Sequence, residues 1–241
     1  MTRGSRQSME FILLHSTKYG DNSLVLHTLS REYGRRSLFL RSVSSASSVA
    51  GGSGRASKKG GARAAVAGLL SPLNIIEGEV SVNPASSSAM MTVSSLAASY
   101  PLSGLRGNLY KSSMSMFMAE VLFRALRDGA NESGLYDWCV KKILLLDAVE
   151  GSFSNFHLLF LLEFASALGF RPSLADLASF VPDAHASMAE KLLSLPFGEA
   201  MLVPMNGAVR SSLIDSFLRY IETHLEYPLN IRSAAVLKDL F

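Results

Sequence analysis

Cysteine is nearly absent from this chain of 241 residues: Cys139 stands alone. One thiol excludes an intrachain disulfide and any zinc site built on two or more thiolates, and it fits a reducing compartment. Long hydrophobic runs are lacking too. The apolar stretch Phe11-Ile12-Leu13-Leu14 stops at His15, too short for the core of a secretion signal. The longest uncharged run, Val80 to Leu105, is serine-rich and carries Pro84 and Pro101, so it does not read as a membrane span. The strongest apolar block, Phe153 to Phe170, is broken by His157 and Glu163 and reads as a buried helix. These features point to a cytoplasmic chain with no membrane partner.

Catalytic signatures are equally scarce. The Gly-Ser-Gly-Arg-Ala-Ser-Lys-Lys-Gly-Gly stretch at 52–61 has neither the P-loop nor the dinucleotide glycine spacing, and no Gly-x-Ser-x-Gly elbow exists. The five histidines, His15, His27, His157, His185 and His224, show no ligand-like spacing and read as surface or core imidazoles. Glu77 and Glu79 share one face of a strand, which reads as a solvated face rather than an acid/base pair. Cys139 beside Trp138 reads as core. No enzyme, cofactor or metal is therefore expected, and a hydrolase reading rests only on scattered Ser and His.

Acids are scarce in the first quarter. Residues 1–63 hold eleven Lys/Arg against three acids (Glu10, Asp21, Glu32), a local +8, while the remainder carries −5. A basic module joined to a mildly acidic one predicts contact between the first and a polyanion.

What is present is β-structure followed by helix. Phe11–His15, Ser23–Leu29 and Ser37–Arg41 read as strands separated by turn chemistry at Tyr19–Asn22 and Ser30–Gly34. Alternation in the third strand turns Leu38 and Leu40 inward and leaves Phe39 and Arg41 outside. Residues 42–68 are Ser, Gly and Ala with interspersed Arg55, Lys58, Lys59 and Arg63, which predicts a mobile basic loop. Pro72–Val82 and Ala89–Ala98 supply two more strands. Five short strands without crossover helices fit an OB-like barrel.

From about Gly107 the hydrophobic period becomes helical. Helices are expected around Tyr110–Ala125, Leu135–Val149, Phe153–Leu168 closed by Gly169, Ile214–Leu225 with Ser212 and Asp215 as a capping box, and Ala234–Phe241. The expected fold class is α+β: an amino-terminal OB-fold barrel over 10–100, preceded by a disordered arm over 1–9, then a helical bundle over 101–241. Met9 is an alternative start.

Arg31, Arg35, Arg36 and Arg41 lie on and beside the third strand with Phe39. With Lys58, Lys59 and Arg63 they form the expected nucleic-acid site, cations tracking phosphate and the ring accepting a base. Ordinary solvating charge, with Phe39 covered by the helical domain, is the alternative.

The stretch His15-Ser-Thr-Lys-Tyr-Gly-Asp-Asn-Ser-Leu-Val-Leu-His-Thr-Leu-Ser-Arg-Glu-Tyr-Gly-Arg-Arg36 resembles the opening of the RecO family of bacterial recombination mediators. Tyr19, Asp21, Ser23, Glu32, Tyr33, Gly34 and Arg35 occupy the family's landmark places. Ser71-Pro72-Leu73, Tyr100-Pro101-Leu102, the helix around Glu120, and Asn155 to Pro172 resemble later ones. The resemblance implies an OB-fold with a helical domain that binds single- and double-stranded DNA and anneals complementary strands. It also implies engagement of single-stranded-DNA-binding protein and, with RecR, loading of RecA. An acidic peptide tail wants a cation beside an apolar pocket, so Arg124, Arg127, Phe156 and Arg171 are the candidates for receiving the tail of single-stranded-DNA-binding protein, with ordinary bundle packing the alternative for Phe156. The resemblance places the chain at the nucleoid. The chain departs from the family in two places: residues 171–205 lack the four-cysteine zinc module of many members, and the 42–68 loop is longer. A generic OB-fold RNA-binding protein is the rival reading.

Overall fold

The computed structural model describes residues 6–41, 68–81, 91–130 and 134–241. The chain divides into two compact units, one of residues up to Leu102 with Leu126–Val140, the other of Ser103–Ala125 with Lys141–Phe241.

The first unit is built on five strands: β1 (Arg6–Tyr19), β2 (Ser23–Ser30), β3 (Gly34–Leu40), β4 (Ile75–Ser81) and β5 (Met91–Ala98). They close in the order β1-β2-β3-β5-β4, with β4 pairing back onto β1. All pairings are antiparallel except the short parallel seam of β3 with β5. Met9, Phe11, Leu13, Leu26, Leu38, Leu40, Ile76, Val80, Val93 and Leu96 fill the interior. The OB-like barrel expected from strand spacing is therefore the observed fold, with Leu38 and Leu40 inward as alternation requires.

Two local features shape the barrel. At Gly34 (φ 60°) the chain enters β3 in a left-handed conformation that a β-carbon would disfavour. At Gly78 an added β-carbon would lie 2.9 Å from both Leu96 Cδ2 and Val93 Cγ2, so β4 approaches β5 only because this position is bare. Glu77 and Glu79 flank it on the solvated face, and Ser8 Oγ donates to Glu77.

Of the arm expected over 1–9, residues 1–5 lie outside the described residues, and Arg6–Met9 are strand rather than a disordered arm. β1 starts at Arg6, Arg6–Met9 pair with Ser81–Gly78, and Met9 is part of the core. The burial of one apolar side chain and a pairing partner hold this segment as strand. The basic loop expected over 42–68 lies almost wholly outside the described residues.

The helical unit contains α1 (Ser103–Gly107), α2 (Leu109–Ala125), α4 (Phe156–Ala167), α5 (Leu174–Leu177), α6 (Ala186–Ser194), α7 (Phe197–Met201), α8 (Gly207–Leu225) and α9 (Ser233–Leu240). Helix α3 (Leu135–Ala148) contributes its first residues to the barrel unit and the rest to this one. The apolar helix α4 is its centre, packing against α2, α7 and α8. The expected capping box at Ser212 and Asp215 is not a helix start. α8 begins five residues earlier, where Asn206 caps Val209 N–H, and Ser212 lies inside the helix with its hydroxyl on His185 Nδ1 at 3.0 Å. Short α6 and α7 escape the periodicity reading. Among the described residues no helix is long and apolar enough to cross a membrane.

His157 on α4 is fully buried against the Phe117 and Phe241 rings, and neither ring nitrogen has a hydrogen-bond partner among the described residues. Burial, reinforced by the charge of Arg210, pushes its pKa down to about 3. The fold therefore holds it neutral, while the unfolded chain protonates it near the ordinary value of about 6.5. Its neutral state costs the fold nothing above that value. Stability should fall as pH drops from about 6.5 toward about 3, by up to about 1.4 kcal/mol per pH unit. Denaturant melts followed by far-ultraviolet circular dichroism should show this slope in the native chain and a shallower one in His157→Leu.

Candidate nucleic-acid interface

The outer face of the β1-β2-β3 sheet depends on an irregularity. In the first half of β1 the odd-numbered residues Met9, Phe11 and Leu13 point inward. The register with β2 then shifts between Leu13 and His15, a bulge that inserts Leu14. Beyond it the parity is reversed. His15, Thr17 and Tyr19 stand opposite His27, Val25 and Ser23, on the face away from Leu26.

β3 completes this face. Phe39 pairs with Val25, Ser37 with His27 and Arg35 with Leu29. Successive rows are thus Thr17–Val25–Phe39 and His15–His27–Ser37, with Tyr19 and Arg41 at the open end, where Ser23 Oγ donates to Arg41 C=O. Tyr19, 64% exposed, meets Phe39 edge to face at 5.5 Å between ring centroids. His15 and His27 stack at 5.9 Å with 12° between planes. Burial, then the charges of Arg35 and His15, hold the His27 pKa below its ordinary value, while Asp128 acts in the other direction. Arg41 is exposed.

The remaining arginines of the strand are placed differently. Arg35 is buried under the segment after α2: its Nη1 lies 3.6 Å from Asp128, its N–H donates to Ala130 C=O and its C=O accepts from Gly129 N–H. Burial lowers its pKa despite the favourable charge of Asp128. Arg31, in the β2–β3 turn, donates to Asp137 at 2.5 Å and lies 5.0 Å above the Tyr136 ring. Tyr136 in turn donates to Glu10 at 2.8 Å, and burial first, then this carboxylate, raises the phenol's pKa. Arg36 shares the parity of Leu38 and Leu40 rather than that of Phe39, and its Nε is buried with no hydrogen-bond partner among the described residues. Lys58, Lys59 and Arg63 lie outside the described residues.

The structure therefore groups Phe39 and Arg41 with Tyr19, and sets Arg31, Arg35 and Arg36 elsewhere. Sequence reasoning missed Tyr19, His15 and His27 as members of one face. Their odd spacing was visible, but the bulge that turns His15 and Tyr19 to the side of His27 was not.

In the helical unit, Phe156 is fully buried, packed against Phe197 at 5.4 Å, and is a core residue. Arg124 lies 3.8 Å from Glu120, whose carboxylate also accepts from the N–H groups of Arg232 and Ser233 at the start of α9. Arg127 belongs to the barrel unit and is exposed. Arg171 lines a groove of about 440 Å³ whose walls include Leu159, Leu162, Leu174, Leu192 and Leu195.

A closed five-strand barrel in this order, joined to a helical unit, is an OB-fold protein with a helical partner domain. A family profile described as recombination protein O, C terminal, matches residues 106–179. The DNA repair protein RecO of Phocaeicola vulgatus is 31% identical over 95% of this chain and 97% of its own length. The RecO proteins of Bacteroides fragilis and Porphyromonas gingivalis are 29% and 27% identical over the same shares. The chain belongs to the RecO family.

The two kinds of arginine should separate in stability. Arg35→Ala, which removes a buried guanidinium, should cost about 1–3 kcal/mol, whereas Arg41→Ala should stay within about 0.5 kcal/mol. Urea melts of the two variants check this.

Proposed function

We propose that this protein is a non-enzymatic DNA repair and recombination mediator. It binds single- and double-stranded DNA on the barrel, anneals complementary strands and, with RecR, helps load RecA onto strands coated by single-stranded-DNA-binding protein. It works in the cytoplasm at the nucleoid. The observation that carries the reading is the Tyr19–Phe39 aromatic pair beside exposed Arg41 on the outer sheet face of a RecO-family chain. The rings offer stacking surfaces that any base accepts, and the guanidinium tracks phosphate. Lys58, Lys59 and Arg63 are assigned to contact with the same DNA. Arg31 and Arg35 are assigned a positioning role, since both are engaged by aspartates.

The acidic, apolar-ended tail of single-stranded-DNA-binding protein is assigned to the leucine-walled groove at Arg171, which offers a cation beside apolar surface.

Tyr19→Ala and Phe39→Ala should each weaken single-strand binding by about fivefold or more, given stacking worth about 1–3 kcal/mol per base. Arg41→Ala should reduce the log–log salt slope by about 0.7. Fluorescence anisotropy measures both, and unchanged affinity in all three variants would remove the site. Annealing of protein-coated complementary strands separates a mediator from a generic RNA-binding barrel, which would not accelerate it.

Calorimetry with the tail peptide should give binding that Arg171→Glu abolishes. Heat that persists in the variant places the tail elsewhere.

A further inference from the structure

We propose that the stacked His15–His27 pair is a proton-gated phosphate contact for a single nucleic-acid strand crossing the outer face of the barrel. The proposal deepens the reading of that face as the strand-binding surface and rests on it.

The geometry provides for both protonation states of His27. His27 Nε2 lies 3.3 Å from Thr17 Oγ1 on β1, and its Nδ1 lies 3.0 Å from Ser37 Oγ on β3. A hydroxyl either donates or accepts, so this bracket satisfies the neutral ring in either tautomer and the doubly donating cation equally. Protonation therefore leaves no hydrogen bond unmade. What opposes it is charge and burial: His15 stacks on the ring from β1, and Arg35 reaches from β3, donating to Ser37 Oγ at 3.4 Å. Asp128, from the segment after α2, favours the proton but lies against Arg35. The balance keeps His27 below its ordinary pKa.

A phosphate over the exposed His15 ring would supply the negative charge this arrangement is short of. The pair sits in the row next to Phe39, so a strand stacked on Tyr19 and Phe39 carries its backbone within reach; alternate residues along a strand are roughly 7 Å apart. At neutral pH His27, held below its ordinary pKa, is a neutral ring. Protonated on acidification it contributes a cation, and nucleic acid and proton then bind with mutual reinforcement.

The test is anisotropy with a labelled oligothymidine, in the full chain, at about pH 7.5 and about pH 5.5. Affinity of the native protein should rise by about fivefold or more, and its log–log salt slope should steepen by about 0.7, one further phosphate. The gain, measured within each protein, should fall by at least half in His15→Gln with His27→Gln. If the double variant does not fold, exposed His15→Gln alone is used with the same criterion. A native protein without the gain or the steeper slope, or a variant that retains the full gain, overturns the proposal. The underlying reading fails separately. Unchanged binding at about pH 7.5 in Tyr19→Ala and Phe39→Ala removes the strand from this face, whereas weakened binding in those variants with an undiminished gain in the histidine variants removes only the proton gate.

Discussion

The barrel depends on one strand serving two neighbours. β1 pairs through Arg6–Ile12 with β4 and through Phe11–Tyr19 with β2, so closure requires it to bend between the two. The bulge at Leu13–His15 lies where that bend falls. Its second effect is the reversal of side-chain parity. The same irregularity that closes the core around Phe11 and Leu13 delivers His15, Thr17 and Tyr19 to solvent beside β2 and β3. The core and the outer face that carries Tyr19 and Phe39 are thus consequences of a single inserted residue.

The basic charge of the first quarter has a comparable division of labour. Counted along the sequence, its arginines form a uniform cluster; in space they do three things. Arg31 and Arg35 hold a segment from beyond α2 against the barrel through Asp137 and Asp128, Arg36 turns to the inward parity, and Arg41 stays exposed. A count of net charge therefore overstates the surface offered to a polyanion, because the neutralising aspartates are about a hundred residues away in sequence.

The fold class was legible because alternation at Leu38–Leu40 and the helical period from Tyr110 onward are local patterns that tertiary structure kept. The site was only partly legible. Phe39 and Arg41 follow from alternation within one strand, but Tyr19 joins them only through the bulge and the β1–β2 register, which no local pattern encodes. Phe156 was ambiguous for the opposite reason. An aromatic ring in an apolar helix carries the same local signature whether it faces a groove or, as here, is wholly enclosed against Phe197. The true start of α8 was hidden because Asn206 caps a first turn with little apolar periodicity.

The two backbone hydrogen bonds between Arg35 and the Gly129–Ala130 turn have a consequence for self-association. The parallel seam with β5 covers only Leu38–Leu40, which leaves the beginning of β3 with outward peptide groups and, among the described residues, no strand beside it. Such an edge is a template for another chain's strand. The turn occupies it with a donor and an acceptor of its own, in the manner of a plug. Disturbing Asp128 or Gly129 would therefore expose a sticky β-edge as well as loosen a charge pair, and aggregation rather than simple unfolding is the failure that this part of the molecule is built to prevent.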